Sequence, residues 1–302
     1  MGESEILSEA FEPERRGLLA HCYRMLGAWD EAEDLVQETY LRAMQGWSNF
    51  ENRSSVRTWL YRIATNACLT ALVGRTRRAL PSGLGAPSDD PATPPEVLGP
   101  EAWIQPVPTA AITGDPAAVV TAREDVRLAL IAGLQHLAPR QRAVLLLREV
   151  LAFPAAEVAE MLATSVPAVK STLQRARARL AEVSPSRDDV EEPTEQRTRE
   201  LLDGYMAAWT AGDPEAFGRV LRADAAIELL PSRVWFAGKD RCLAFAAPSM
   251  AWSWQMTATS ANGQPAAVAY LDGKPFGVAV LTAAPDGIAK VTVCTPVPAG
   301  GW

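Results

Sequence analysis

Two stretches rich in proline, glycine and small polar or acidic residues divide this chain of 302 residues and constrain its fold more than any other feature. The first, residues 81–117, begins PSGLGAPSDDPATPPEVLGP, and the second, residues 184–193, reads SPSRDDVEEP. Neither can hold a long helix or a strand ladder, because proline lacks an amide hydrogen and the other residues favour turns. Both are predicted to be linkers, which makes the chain multidomain with folded parts at 9–80, 118–183 and 194–302.

The first two parts are predicted to be all-α, and the third to be α+β. Apolar residues recur at helical spacing in both all-α parts, as in Leu35, Val36, Tyr40 and Met44. The third part begins with two predicted helices at 195–211 and 214–222. Its later apolar segments alternate and are separated by Asn-Gly, Asp-Gly and proline turns, which is typical of strands. The strands are predicted at 225–230, 252–260, 266–271, 276–282 and 288–294.

Local charge is sorted, although the formal net charge is −7. Residues 30–41 carry five acidic residues and no basic one, whereas residues 53–78 carry six arginines and no acid. Residues 164–180 carry four basic residues and no acid. Because nucleic-acid phosphates are attracted by local positive charge, the two basic stretches are candidate nucleic-acid surfaces and the acidic stretch is not.

Two ordered blocks in the first part, DEAEDLVQETYLRAMQGW and RSSVRTWLYRIATNACLTAL, resemble region 2 of extracytoplasmic-function (ECF) sigma factors of the sigma-70 superfamily. The resemblance implies an acidic helix that docks on the β′ clamp of RNA polymerase. It also implies that a loop at about 48–55 captures a flipped base of the −10 promoter element, and that the helix from Val56 supports strand separation. The polymerase-binding residues would be Asp34, Leu35, Gln37 and Glu38. The −10 residues would be Asn52, Arg53, Ser54, Arg57, Trp59 and Arg62, with core packing as the alternative role for Trp59.

A helix-turn-helix pattern spans residues 153–180. Its second helix would bury Val169, Leu173, Ala176 and Leu180 and turn its basic and amide side chains toward the major groove. The wider stretch LQHLAPRQRAVLLLREVLAFPAAEVAEMLATSVPAVKSTLQRARARL resembles region 4 of the same family. That resemblance implies reading of the −35 element and binding to the polymerase β flap. The DNA-binding residues would be Lys170, Ser171, Gln174, Arg175 and Arg177.

The third part resembles the SnoaL-like fold, a cone-shaped barrel of curved strands packed with helices around an apolar cavity. The likeness rests on YMAAWTAGDPEAFGRVLRADAAIELLP and SANGQPAAVAYLDGKPFGVAVLT, and EAWIQPVP in the first linker resembles a motif of sigma factors that carry an extra C-terminal domain. A small ligand could occupy a pocket lined by Trp209, Glu228, Trp235, Trp252 and Trp254. The part contains no histidine and only scattered acids, which disfavours acid–base catalysis.

These patterns predict an alternative sigma factor that is not an enzyme and whose C-terminal domain modulates its activity. We expect RNA polymerase core and promoter DNA as partners, and a cytoplasmic location. No metal site or cofactor is expected, because the four cysteines lie far apart in the sequence and only two histidines are present. No apolar run long enough for a membrane span is seen. Two alternatives remain: a bifunctional protein with a cyclase- or hydrolase-like C-terminal domain, and a helix-turn-helix repressor, which would not need the acidic helix.

Overall fold

The computed structural model describes residues 3–51, 54–112, 127–183, 193–297 and 302. The chain forms two compact units, and each unit combines two segments that are distant in the sequence. The first unit contains residues 1–77 and 110–185, and the second contains residues 78–109 and 186–302. The first predicted linker thus contributes most of its described length to the second unit.

The first unit is helical and contains two helical domains. The first helical domain consists of α1 Glu3–Leu26, α2 Trp29–Gly46 and α3 Val56–Ala71. The second consists of α4 Leu128–Gln135, α5 Pro139–Leu145, α6 Ala155–Met161 and α7 Val166–Val183. The capping residue Ser55 starts α3, because its side chain accepts a hydrogen bond from the Thr58 amide. Gly27 ends α1 with a φ of 73°, the left-handed conformation that glycine adopts without strain.

The core of the first helical domain lies where its three helices meet. Leu18, Tyr23 and Leu60 are fully buried there. His21 is also fully buried, and its Nε2 lies 2.9 Å from the Thr65 hydroxyl. Burial disfavours the charged imidazolium and lowers the pKa of His21 to about 3, so this side chain is neutral near pH 7.

The second unit is an α+β domain with one six-stranded sheet in the order β2-β1-β6-β5-β4-β3. Neighbouring strands run antiparallel except β1 and β6, which run parallel. Its helices are α8 Glu195–Ala211, α9 Pro214–Val220 and α10 Lys239–Met250. Its strands are β1 Leu221–Leu230, β2 Trp235–Ala237, β3 Trp254–Ala261, β4 Gln264–Leu271, β5 Lys274–Ala284 and β6 Gly287–Cys294.

The three helices cover one face of this sheet. Tyr205 and Phe217 from the helices pack there with Ile227, Leu281 and Val291 from the strands. Since side chains alternate along a strand, Glu228 and Thr292 point to the opposite face. The second face is therefore available to another part of the unit.

Residues 78–109, which we call the strap, belong to the second unit and contact that opposite face at Glu228. The strap is folded back on itself, because Ala79 and Trp103 form a parallel bridge and Arg78 donates to the carbonyls of Pro100 and Trp103. Its far end is fixed by Asn262, whose amide donates to the Val107 carbonyl and whose Oδ1 accepts from the Val107 amide. The strap holds no long helix, yet it is an integral layer of this unit.

Most of the predicted elements are present. The helix predicted at 195–211 is confirmed with the same bounds, and all five predicted strands form. Asn262–Gly263 and Asp272–Gly273 turn with positive φ at both residues, as the Asn-Gly and Asp-Gly pairs predict. Helix α10 and the short strand β2 were not predicted. Helix α10 contains Pro248 in its last turn, and proline is disfavoured inside a helix.

Candidate polymerase and nucleic-acid interfaces

Helix α2 presents the predicted polymerase-binding residues. Asp34 and Gln37 are exposed, whereas Leu35 and Glu38 are half-buried. Glu38 is held by Arg42, whose Nη2 donates to its carboxylate at 2.6 Å. Helix α2 thus exposes acidic side chains on one side, and it buries Val36 and Thr39 in the core on the other side.

Two large apolar side chains that were not among the predicted site residues extend the same exposed side. Leu41 is 54% exposed and Met44 is 45% exposed. Met44 belongs to the apolar repeat of the sequence, yet its side chain is exposed. With Asp34 and Gln37, these residues are spaced three and four apart and share one face of α2. An exposed apolar pair on one face of a helix is a candidate docking surface for another protein.

The start of α3 carries the part of the predicted −10 set that is described. Ser54 and Arg57 are half-buried and Arg62 is exposed. Asn52 and Arg53 lie outside the described residues. Trp59 is only 7% exposed, and its ring centroid lies 4.8 Å from that of Phe50 and 5.9 Å from that of Trp47. Because a base needs a free ring face for stacking, this burial favours core packing for Trp59.

The second helical domain packs on the start of α3. The Arg57 guanidinium lies 4.4 Å from the ring centroid of Phe153 and 3.4 Å from the Leu151 carbonyl. The Thr58 hydroxyl donates to Glu157 at 2.8 Å. One of the predicted DNA contacts is therefore engaged inside the chain.

Other contacts hold the two helical domains together. Tyr61 and Phe153 make an edge-on ring contact with centroids 5.4 Å apart, and the Asn66 side chain donates to the Met161 carbonyl at 3.4 Å. The Arg142 guanidinium donates to the Met25 carbonyl near the end of α1, where the helix dipole is negative. Burial lowers the pKa of Arg142 to about 10, so the side chain stays charged at neutral pH.

Helix α7 has the geometry of a recognition helix. Val169, Leu173 and Ala176 are buried, as predicted, while Leu180 is half-buried. The five residues predicted to bind DNA are all exposed: Lys170, Ser171, Gln174, Arg175 and Arg177. Arg177 also forms an ion pair with Glu149 at 2.7 Å, which ties this helix to the segment Leu146–Val150 that follows α5. The exposed side is basic and rich in hydrogen-bond donors, as the major groove requires.

The residues of the predicted ligand pocket do not line one cavity. Trp209, Trp254 and Phe276 pack edge to face with ring centroids 4.9 to 5.5 Å apart, and Trp252 stacks on Trp254. Trp235 donates from its indole nitrogen to the Gly85 carbonyl at 2.9 Å. Glu228 lies on the other face of the sheet under the strap. Trp209 and Trp254 thus pack against each other, and Trp235 attaches the strap.

Glu228 is fully buried and accepts three hydrogen bonds. The donors are the Ser82 amide at 3.0 Å, the Lys290 ammonium at 3.3 Å and the Thr292 hydroxyl at 3.2 Å. Its charge is thus compensated, and the partners explain how a carboxylate can lie in this interior.

Two open clefts lie on the second unit. One of about 240 Å³ is lined by strap residues together with Arg233 and Val234, and one of about 460 Å³ lies at the start of α10 beside Lys239 and Asp240. Neither lining contains two carboxylates. Within the described residues, no group of three or more potential metal ligands is found, and no helix could cross a membrane.

Comparisons with known proteins agree with this layout. The Sigma-70 region 2 family profile matches residues 10–78, and the Sigma-70 region 4 profile matches residues 127–180. The chain is 47% identical over 272 residues to ECF RNA polymerase sigma factor SigG of Mycobacterium tuberculosis, covering 86% of this chain and 72% of that protein. It is 32% identical over 220 residues to SigJ of the same species, covering 71% of this chain and 62% of SigJ.

The fold has a solved counterpart. The crystal structure of Mycobacterium tuberculosis SigJ superimposes with a TM-score of 0.59 at 24% identity and covers 96% of both chains. This agreement confirms the predicted fold class of two all-α sigma domains followed by an α+β SnoaL-like domain. Together with the profile matches and the 47% identity to SigG, it means that the chain belongs to the ECF family of RNA polymerase sigma factors, alternative sigma factors that bind polymerase core and direct promoter-specific initiation.

Proposed function

We propose that the exposed side of α2 docks on the β′ clamp of RNA polymerase. The start of α3 and the loop before it bind the opened −10 element. Helix α7 reads the −35 element, and its domain contacts the β flap. The observation that carries this assignment is α7, whose five predicted DNA-binding side chains are all exposed above a buried apolar stripe. A cytoplasmic location follows from the same proposal, because the polymerase and the promoter lie there.

The two helical domains must separate to read both elements. The −10 and −35 elements are separate sites along the promoter, and every base pair between them adds ~3.4 Å. The recognition helix α7 has 18 residues and is ~27 Å long at ~1.5 Å per residue, and α3 touches the neighbouring α6. The packed arrangement is therefore a closed state, and promoter binding needs an open one.

The C-terminal domain acts on this equilibrium through the strap and does no chemistry. The strap joins the two helical domains in the sequence, and the C-terminal domain binds it at Glu228, Trp235 and Asn262. Whatever strengthens or weakens that attachment changes the length of chain free to move between the two helical domains. A non-catalytic role agrees with the linings of the two clefts, because each contains one acidic residue and acid–base catalysis by carboxylates would use a pair.

Run-off transcription with purified core polymerase tests the proposal. Substituting Lys170→Ala should weaken promoter binding on all templates and lower the magnitude of the salt slope by about one, because one phosphate contact is lost. Substituting Gln174→Ala should instead change which −35 sequences are used. Lys239→Ala, in the C-terminal domain, is the matched charge control. Transcription that is the same with and without the chain, on genomic templates, would overturn the assignment.

A further inference from the structure

The amino-terminal end of α3 holds a carboxylate that comes from the second helical domain. Glu157 lies in the first turn of α6, and its Oε2 accepts a hydrogen bond of 2.8 Å from the Thr58 hydroxyl. We propose that Glu157 is an autoinhibitory residue, which occupies in the closed state the position of a phosphate of the opened promoter strand. The inference rests on the proposed function, because it takes the start of α3 as a DNA-binding surface.

The local geometry suits an anion. Helix α3 has 16 residues, and its first turn provides the positive end of the helix dipole. Ser55 accepts from the Thr58 amide at 3.0 Å, and the two hydroxyls lie 2.8 Å apart. Because the Thr58 hydroxyl donates to Glu157, the Ser55 hydroxyl must donate to Thr58. The last donor of this hydrogen-bond series, the Thr58 hydroxyl, is directed at the carboxylate, as it would be at a phosphate oxygen.

Arg57 supplies the positive charge next to this position. Its guanidinium is engaged by the Leu151 carbonyl and the Phe153 ring, both from the second helical domain, and by Glu14 of α1 at 3.7 Å. A phosphate that bound here would compete with Glu157 for the Thr58 hydroxyl, because a hydroxyl has a single hydrogen to donate. The second helical domain and the DNA strand are thus mutually exclusive occupants of one surface.

This competition explains how the closed state could be both stable and reversible. Glu157 contributes one negative charge and one hydrogen bond, whereas a DNA strand brings a phosphate at every nucleotide. The free chain therefore hides the start of α3. Once polymerase holds the two domains apart, the same donors become available to the strand.

Two variants weaken the contact from opposite sides. Glu157→Gln removes the charge, and Thr58→Val removes the donating hydroxyl while leaving α6 unchanged. Glu160→Gln is the matched control, because Glu160 is an exposed acid on the same helix. Fluorescent dyes on Gln45→Cys and Ala181→Cys, both at exposed positions of the two helical domains, report the closed state by energy transfer in the full-length chain.

We expect both variants to lower the energy transfer of the free chain and the control to leave it unchanged. Glu157→Gln should also raise affinity for a mixed-sequence single strand of about 20 nucleotides by about tenfold. Unchanged energy transfer and unchanged DNA affinity in Glu157→Gln would overturn the inference. The proposed function would still stand in that case if Arg57→Ala abolishes promoter opening by the holoenzyme. If Glu157→Gln opens the chain but Arg57→Ala binds DNA normally, the DNA assignment of α3 fails and Glu157 is only a domain contact.

Discussion

The buried carboxylate of Glu228 accepts a hydrogen bond from the backbone amide of Ser82, at 3.0 Å and across 146 positions of the sequence. The Lys290 ammonium reaches both, since it lies 3.3 Å from the carboxylate and 3.2 Å from the Ser82 hydroxyl. One residue of the C-terminal domain thus binds the strap and keeps its own charge compensated.

Glu228→Gln should loosen the strap. The variant keeps the shape of the side chain but leaves Lys290 without its charged partner, and we expect a loss of about 1 to 3 kcal/mol in local stability. Hydrogen exchange of peptides around Ser82 should become faster while exchange in α1 is unchanged. Asp286→Asn is the control, because this exposed partner of Arg222 should cost less than about 0.5 kcal/mol. Protection of the strap equal to that of the unaltered chain would show that Glu228 does not hold it.

Asn262→Gly should weaken the other end of the strap. Asn262 has a φ of 53°, so glycine relieves any backbone strain and the lost bond to the Val107 amide can be measured separately. We expect faster exchange at Val107 and a stability loss of about 1 kcal/mol. Asp272→Gly is the matched control, because Asp272 has a similar φ of 49° in an equivalent turn. If both substitutions have the same effect at Val107, the side chain of Asn262 does not anchor the strap.

The sequence predicted elements whose signals are local. Asn262–Gly263 and Asp272–Gly273 formed the expected turns because their backbone preferences are intrinsic to the residue pairs. The recognition helix was also visible, since its buried stripe and basic side follow directly from helical spacing. Charge sorting identified α2 and α3 for the same reason.

Tertiary partners decided the rest. The stretch 81–117 has the composition of a linker, yet residues 78–109 are ordered by hydrogen bonds to Glu228, Pro231 and Asn262, which lie more than a hundred residues away. Glu228 was expected at a pocket because a strand pattern does not tell which face a helix covers. Met44 fitted an apolar repeat, but no neighbouring helix covers it among the described residues.

Leu41→Ser should reduce association with core polymerase without destabilising the chain. Leu41 is 54% exposed, so its substitution should change the free energy of unfolding by less than about 0.5 kcal/mol. If it is a central contact with the partner, binding should weaken by about tenfold, which corresponds to about 1.4 kcal/mol. Ile6→Ser is the control, because Ile6 is 40% exposed on α1. Competition with a labelled sigma factor for core polymerase measures the effect, and equal binding by both variants would remove Leu41 from the docking surface.

His21 should make the first helical domain sensitive to acid. Burial lowers its folded-state pKa to about 3, below the ordinary value of 6.5 that it regains on unfolding. The unfolded state therefore binds the proton more readily, so the stability is fully present above pH 6.5 and falls as the pH drops toward 3. At pH 4.5 the loss should reach about 2 to 3 kcal/mol relative to pH 7. Urea unfolding at the two pH values measures it.

His21→Gln tests this assignment, because glutamine can keep a hydrogen bond to Thr65 but does not titrate. The free energy of unfolding of this variant at pH 7 should be somewhat lower than that of the unaltered chain. Its decrease between pH 7 and pH 4.5 should be smaller than in the unaltered chain, by the amount that His21 contributes. His136→Gln is the matched control. Burial and the nearby Arg77 also lower the pKa of His136, but this side chain lies at the surface, so its linkage to unfolding should be weak. If the His21 variant keeps the full acid sensitivity of the unaltered chain, other groups are responsible for it.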